Sequence, residues 1–520
     1  MSFRNIQMVL SCAVLMIGSL GVLSVFAQNI QTEPPKSIRK ESDQEIEKAM
    51  AVVKANAYSA EAHCRLAHAY ADATKYDNAI DSYKRAIELK PAYREAYLGL
   101  ASVYRRQNNR DEEIEVYRKA LDSLPKDVEL LESAAEAMAQ TERYAEAIDV
   151  QKRVVQGRPD DPGSHELLGS YMFRARRYQD AIREYQESIR LRPKNAYSHH
   201  MVAAAYMNLG RWEDAISSYS QVLAVEPNYA QSYAVHKEMG SAILRSRGAS
   251  EALEELKRSI EINPRYSPAY YEMGVAYHIL GRYEDAVDSV KKAVSFQPRT
   301  SAFHTMLGDL YQHLGKTGEA ETELRDSIKL EPESPQGLIT LAALLFRQNR
   351  LEDADRLVKE SMQNLPKNNN GYLLVASLLQ HFGYQSEQEA ALKKALQIEP
   401  NNAIALNNLG YQMVERNEKV DEAIAMIQRA VKAQPKNAAF LDSLGWAYFK
   451  LNRLEEAERN LTEASQFGVS TVILDHLGDV LQKQGKTAQA RDVWQKALTL
   501  RTGNELAASI REKLDRLNNK

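Results

Sequence analysis

The sequence predicts an all-α fold assembled from one repeated helix–turn–helix unit, and three observations carry that reading. Prolines recur at Pro91, Pro125, Pro159, Pro193, Pro227, Pro264, Pro298, Pro332, Pro366, Pro400 and Pro435; every step is 34 residues except 37 after Pro227 and 35 after Pro400. A proline breaks the helical hydrogen-bond ladder, so each one marks the exit from a helix. Small residues keep the same period at Ala67, Ala101, Ala135, Gly169, Ala203, Gly240, Gly274, Gly308, Ala342, Ala376, Gly410, Gly445 and Gly478, where paired helices must approach closely. Composition agrees, since 44% hydrophobic and 26% charged residues with 23 Gly and 16 Pro in 520 describe a folded chain of good helix formers. A chain of this length exceeds a single core, and a stacked array resolves that.

Within the unit at residues 267–300, Tyr270, Met273, Gly274 and Tyr277 share one helical face, Tyr283, Ala286, Val290 and Ala293 share another, and Pro298 closes it. The second small residue of the unit recurs at Ala79, Ala147, Ala181, Ala215, Ala252, Ala286, Ala320, Ala354, Ala457 and Ala490; Glu113 and Gln388 interrupt this series, and Ala423 is displaced by one residue. In this order of residues the chain resembles the tetratricopeptide repeat family. The resemblance implies a right-handed superhelical solenoid and a binding scaffold, and it names no ligand. Counting the small residues predicts 13 repeats, with 60–229 holding the first five and 230–504 the remaining eight. Residues 45–59 read as a half-repeat and 505–520 as a capping helix, whose Leu506, Ile510, Leu514 and Leu517 cover the last exposed edge. Asp161-Pro162, Ser267-Pro268 and Ser334-Pro335 read as a capping side chain ahead of a proline at the first helical position. Three extra residues around Ala230 should lengthen the sixth repeat's loop or first helix by about a turn. One more near Glu418 falls in the turn between the helices of the eleventh.

Ahead of the array, Arg4 precedes an uncharged run from Ile6 to Asn29, and Val25-Phe26-Ala27 offers a cleavage site. Residues 1–27 therefore read as a secretory signal peptide, cut after Ala27, or as an uncleaved inner-membrane anchor through residues 6–27. Residues 28–44, with Pro34-Pro35 and mixed charge, read as a linker. The expected location is outside the cytoplasm, periplasmic or envelope-associated. Of Cys12 and Cys64, only the second would remain after cleavage, which leaves a reduced, partly buried thiol.

The resemblance also implies that the first helix of each repeat lines a concave groove, with its second, fifth, ninth and twelfth positions pointing inward. Mapped onto this chain, early repeats present an acidic stretch of Glu61, Glu95, Glu129, Glu132, Glu136 and Glu166, with Arg105 among it. The middle presents Phe173, Tyr197, His200, Tyr271, His278 and Phe346. The last repeats present Asn407, Tyr411, Asp442, Trp446, Asp475 and Asp479. Apolar and aromatic groups at one-repeat intervals suit an extended or helical peptide. Asp442, Asp475, Asp479 and His476 would ligate a metal only if they converged, and residues one repeat apart are held apart. A pocket for a basic peptide, anchored on Trp446 and Tyr411, is the preferred assignment there.

Other function classes find little support. The chain carries no phosphate-cradling glycine loop, Gly-x-Ser-x-Gly, His-Glu-x-x-His or paired-cysteine motif. A net charge of −3 and short basic runs such as Arg174–Arg177 argue against a nucleic-acid face. The chaperone-tail clamp of the family requires Lys and Asn where this chain has Cys64 and His68. The expected function is a non-enzymatic adaptor without cofactor that binds protein or peptide segments in its groove. The alternatives are an organiser of an envelope secretion or assembly complex acting through its convex face, and a carbohydrate-binding module.

Overall fold

The computed structural model describes residues 36–332, 334–364, 369–500 and 504–518, so the expected signal segment and residues 28–35 of the expected linker lie outside it. The described residues form 28 helices, numbered α1 to α28 in chain order, and no strand. Helix α1 (Lys36–Ala55) precedes 13 pairs. Their first helices are α2 (Ala60–Asp72), α4 (Arg94–Arg106), α6 (Val128–Gln140), α8 (Pro162–Arg174), α10 (Ala196–Asn208), α12 (Ser232–Ser246), α14 (Ser267–Ile279), α16 (Ser301–His313), α18 (Pro335–Arg347), α20 (Asn369–His381), α22 (Ala403–Glu415), α24 (Ala438–Lys450) and α26 (Thr471–Lys483). Their second helices are α3 (Tyr76–Leu89), α5 (Arg110–Ser123), α7 (Tyr144–Gly157), α9 (Tyr178–Leu191), α11 (Trp212–Val225), α13 (Ala249–Ile262), α15 (Tyr283–Phe296), α17 (Thr317–Leu330), α19 (Leu351–Asn364), α21 (Gln385–Ile398), α23 (Val420–Ala433), α25 (Leu454–Phe467) and α27 (Thr487–Thr499). Helix α28 (Asn504–Asn518) follows. One compact unit ends at Gly281 and a second begins at Arg282. Within each unit consecutive helices pack on one another, and first helices of neighbouring repeats also touch, as α12 does α14 and α24 does α26. Each unit is thus a stack of hairpins that meet only their neighbours, the construction of a solenoid.

The small-residue ruler has a direct structural cause. A Cβ added at Gly169 would stand 3.1 Å from Tyr185, at Gly308 2.4 Å from Leu324, at Gly445 2.6 Å from Leu461, and at Gly478 2.2 Å from the Trp494 ring. The second helix of the hairpin presses a large apolar or aromatic side chain onto this spot, and Tyr185 and Trp494 are fully buried there. Interiors at crystal-like density leave no room for the added methyl group.

The turn between paired helices places one residue in the left-handed region: Thr74, Asn108, Glu142, Arg176, Gly210, Gly248, Gly281, Gly315, Asn349, Gly383, Asn452 and Gly485 in their respective repeats. Repeat 11 uses two, Asn417 at φ 54° and Lys419 at φ 43°, because its turn holds the inserted residue. The three-residue insertion of repeat 6 is divided. Helix α12 has 15 residues where the other first helices have 13, the loop before it (226–231) has six where most have four, and the turn after it (247–248) has two where most have three.

Three local expectations change. Helix α1 begins at Lys36, so residues 36–44 of the expected linker are helical. Asp161 caps α8 as expected, accepting from the Ser164 backbone N–H with Pro162 in the first turn. Ser267, however, is the first residue of α14 and not its cap, since Tyr266 stands at that position and the buried Ser267 Oγ makes no hydrogen bond. Ser334 holds the cap position of α18 without a side-chain hydrogen bond. Cys64 is free and buried, and burial pushes its thiol pKa up, which makes it an inert core residue. No described helix is long and apolar enough to cross a membrane.

Candidate functional site

Most carboxylates of the expected acidic stretch in the early repeats are met by partners within the stack. Glu61 meets Lys90 at 2.9 Å, Glu132 meets Arg158 at 2.7 Å, and Glu129 lies 3.4 Å from Arg94. Glu166 accepts from Ser188 at 3.0 Å and from the Asn195 side-chain amide. These partners come from the segments that close one repeat or open the next, so these carboxylates link neighbouring repeats, whereas Glu136 is exposed and accepts from the uncharged Gln140 amide. The pairs are mostly solvent-exposed, so water and salt screen them strongly.

Two stretches of first-helix residues gather polar groups instead. In the unit that ends at Gly281, α10, α12 and α14 carry His200, Lys237, Glu238, Tyr271 and Glu272. Lys237 Nζ pairs with Glu238 at 2.6 Å, with only 12% of the lysine side chain exposed. Burial works against that ammonium, yet Glu238 and Glu272 outweigh it, and its pKa lies above the ordinary lysine value. Glu272 is 7% exposed, and its Oε2 has no hydrogen-bond partner among the described residues. Burial pushes its carboxyl pKa up, against the opposing pull of Lys237 and Arg245. His200 is pushed down by burial, with its ring edge-on to Tyr219 and Tyr229 at 5.8 Å each. Tyr271 is pushed up, first by burial and then by Glu272. Nearby, Tyr197 is 44% exposed, and Phe173 packs edge-on to Tyr178 at 5.3 Å. His278 is half-buried at the last turn of α14.

Lys237, Glu238 and Glu272 escaped the sequence reading. Lys237 is the sixth residue of α12 and Glu272 the sixth of α14, and opposite charges at matching places on successive first helices are the signal that would have found them.

The second stretch lies on α22, α24 and α26. The rings of Trp446 and His476 stack at 4.1 Å and 19°, and those of Trp446 and Phe449 at 5.0 Å and 20°, so three near-parallel rings form a ladder. Trp446 Nε1 donates to Glu415 at 2.5 Å. Lys450 and Lys483 stand over the Trp446 and Phe449 rings at 5.2 and 4.7 Å. Asp442 and His476 Nδ1 are 2.8 Å apart. Lys513 of α28 bridges Asp475 at 2.7 Å and Asp479 at 2.8 Å. Burial raises the Asp479 carboxyl pKa, and Lys513 opposes it. The Tyr411 phenol is pushed up to about 12, first by burial and then by Glu415 and Asp442.

The four candidate metal ligands are thereby divided between two groupings, Asp442 with the His476 ring and Asp475 with Asp479 on the Lys513 ammonium. The basic-peptide assignment also needs correction, because Asp442, Asp475 and Asp479 are largely buried and already hold cationic or N–H partners. Asn407 is likewise 6% exposed, its amide touching Asn408. Phe346 is not an open groove anchor either: it is 7% exposed and stacks on Phe382 of the next repeat at 4.2 Å. Tyr411, Trp446 and Phe449 remain half-buried and reachable.

Tetratricopeptide repeat profiles match residues 64–128, 133–196, 305–364 and 415–464, with further profiles of that description matching 172–237, 255–288 and 471–502. No curated protein sequence matches. Solved structures with similarity include yeast Tom70, at 18% identity over 87% of this chain and 99% of that one, with a TM-score of 0.42. The Cut9–Hcn1 hetero-tetramer of the APC/C gives 16% identity over 88% and 96%, with a TM-score of 0.36. MamA gives 24% over 32% and 95%, with a TM-score of 0.30.

Proposed function

Since the chain belongs to the tetratricopeptide repeat family, whose arrays mediate protein–protein interaction, we propose that it is a non-enzymatic adaptor that binds a polypeptide segment along the first helices of its repeats. The observation that carries the proposal is the ring ladder of Trp446, Phe449 and His476. Stacked aromatic side chains left half-covered on successive first helices offer apolar area at little entropic cost, the property of interface hot spots. Its place outside the cytoplasm rests on residues 1–27, where a basic start, an apolar run and Val25-Phe26-Ala27 have the layout of an export signal.

The test is cross-linked capture of binding proteins from envelope extract with residues 28–520, beside a Tyr411→Ala, Trp446→Ala, Phe449→Ala variant whose urea unfolding matches the parent. A protein captured by the parent and lost from the variant supports the adaptor and its terminal groove. Equal capture by both removes the groove from the proposal and favours a complex organiser that works through the opposite face.

A further inference from the structure

We propose that the terminal groove takes an acidic polypeptide segment carrying aromatic residues, and that Lys513 sets this preference; the inference rests on the groove reading above and assigns the class of partner. The charges facing this groove are unequally committed. Asp475 and Asp479 share the Lys513 ammonium at 2.7 and 2.8 Å, and Asp442 faces the His476 ring at 2.8 Å. Glu415 accepts from Trp446 and lies 3.7 Å from Lys450. Each carboxylate therefore already has a donor.

The cations are in a different state. Lys483 is exposed over the Phe449 ring, and no described carboxylate lies within ion-pair distance of it. Lys450 is exposed over Trp446 with a single long contact to Glu415. An ammonium has three N–H donors, and a ring face satisfies it only in part. An arriving carboxylate thus meets two under-used ammonium groups above a planar aromatic floor on which a partner ring can stack. An arriving ammonium meets carboxylates already bonded, and two like charges in its path. Removing the Lys513 amine would reverse this, leaving Asp475 and Asp479 facing the groove without their cation.

Two acetylated, amidated hexapeptides test the assignment on the full chain by fluorescence anisotropy at low salt: Glu-Phe-Glu-Glu-Phe-Glu and Lys-Phe-Lys-Lys-Phe-Lys. The glutamate peptide should bind at least about tenfold more tightly, with the gap closing as added salt screens the exposed cations. A Lys450→Ala, Lys483→Ala variant should lose that preference. Lys513→Ala should erase or invert it, while Lys513→Arg, which can still bridge both carboxylates, should retain it. Tighter binding of the lysine peptide to the parent overturns the proposal. So does binding of neither peptide, or a ratio that Lys513→Ala leaves unchanged. Groove-dependent capture in the preceding section is a separate readout, so it can stand while the acidic assignment falls.

Discussion

Repeats 5–7 and repeats 11–13 place charge at equivalent positions of their first helices and treat it in opposite ways. In the first stretch a largely buried Lys237 pairs with a half-buried Glu238, and Glu272 keeps an oxygen without a partner among the described residues. In the second, every buried carboxylate has a donor, and the aromatic groups lie at the surface with cations over them. The turns differ as well. Gly210, Gly248 and Gly281 supply the left-handed residue in repeats 5–7, whereas Asn417, Lys419 and Asn452 do so in repeats 11 and 12. The first stretch is relaxed in its backbone and strained in its charges; repeats 11 and 12 are the reverse, while repeat 13 turns on Gly485. A repeat array therefore specifies where a side chain stands without specifying whether its charge is met.

The largest effect that sharpens this contrast is in the hairpin contacts. Trp494, fully buried against Gly478, should cost about 3–5 kcal/mol on truncation to Ala, read from urea unfolding of the full chain. Gly478→Ala should cost about 1–3 kcal/mol, because the rigid indole cannot retreat from a Cβ at 2.2 Å. Ala203, the matching position of repeat 5, already carries a Cβ beside the buried Tyr219.

Next comes the unmatched charge. Burial raises the folded-state pKa of Glu272, so the native chain holds its proton to higher pH than the unfolded chain does. Its contribution is favourable at low pH and is lost as pH rises from the ordinary carboxylate value through the raised one. Glu272→Gln, which fixes an uncharged side chain, should remove that fall, measured as the slope of unfolding free energy against pH around repeats 6 and 7. An unchanged slope would mean that Lys237 fully compensates the carboxylate. Smallest is the backbone term. Lys419→Gly relieves a left-handed lysine and should stabilise repeat 11 by about 0.5 kcal/mol net of the unfolded-state entropy that glycine adds, seen as slower amide exchange in α23.

The period of the prolines and of Gly169, Gly240, Gly308 and Gly478 made the helix pairs legible, because a proline stop and a steric contact act within one hairpin. The floor of the groove was less legible. Trp446, Asp442 and Asp475 were visible as inward positions, but their partners His476 and Lys513 come from the next repeat's first helix and from α28. Whether a carboxylate is open or occupied depends on that neighbour. Phe346 went astray for the same reason, since Phe382 takes its exposed face. Lys237 was passed over because aromatic residues, and not charges, marked the middle repeats.

The near-constant length of the unit has a mechanical consequence. Hairpins that contact only their neighbours can yield singly under tension, and a 34-residue unit releases about 11–12 nm of chain at roughly 3.3–3.6 Å per residue. Repeat 6, longer by three residues, would release about 1 nm more and so label its own rupture within a series that elsewhere varies by about one residue. The solenoid would then pay out as a graduated tether, its compliance set by the weakest hairpin still closed.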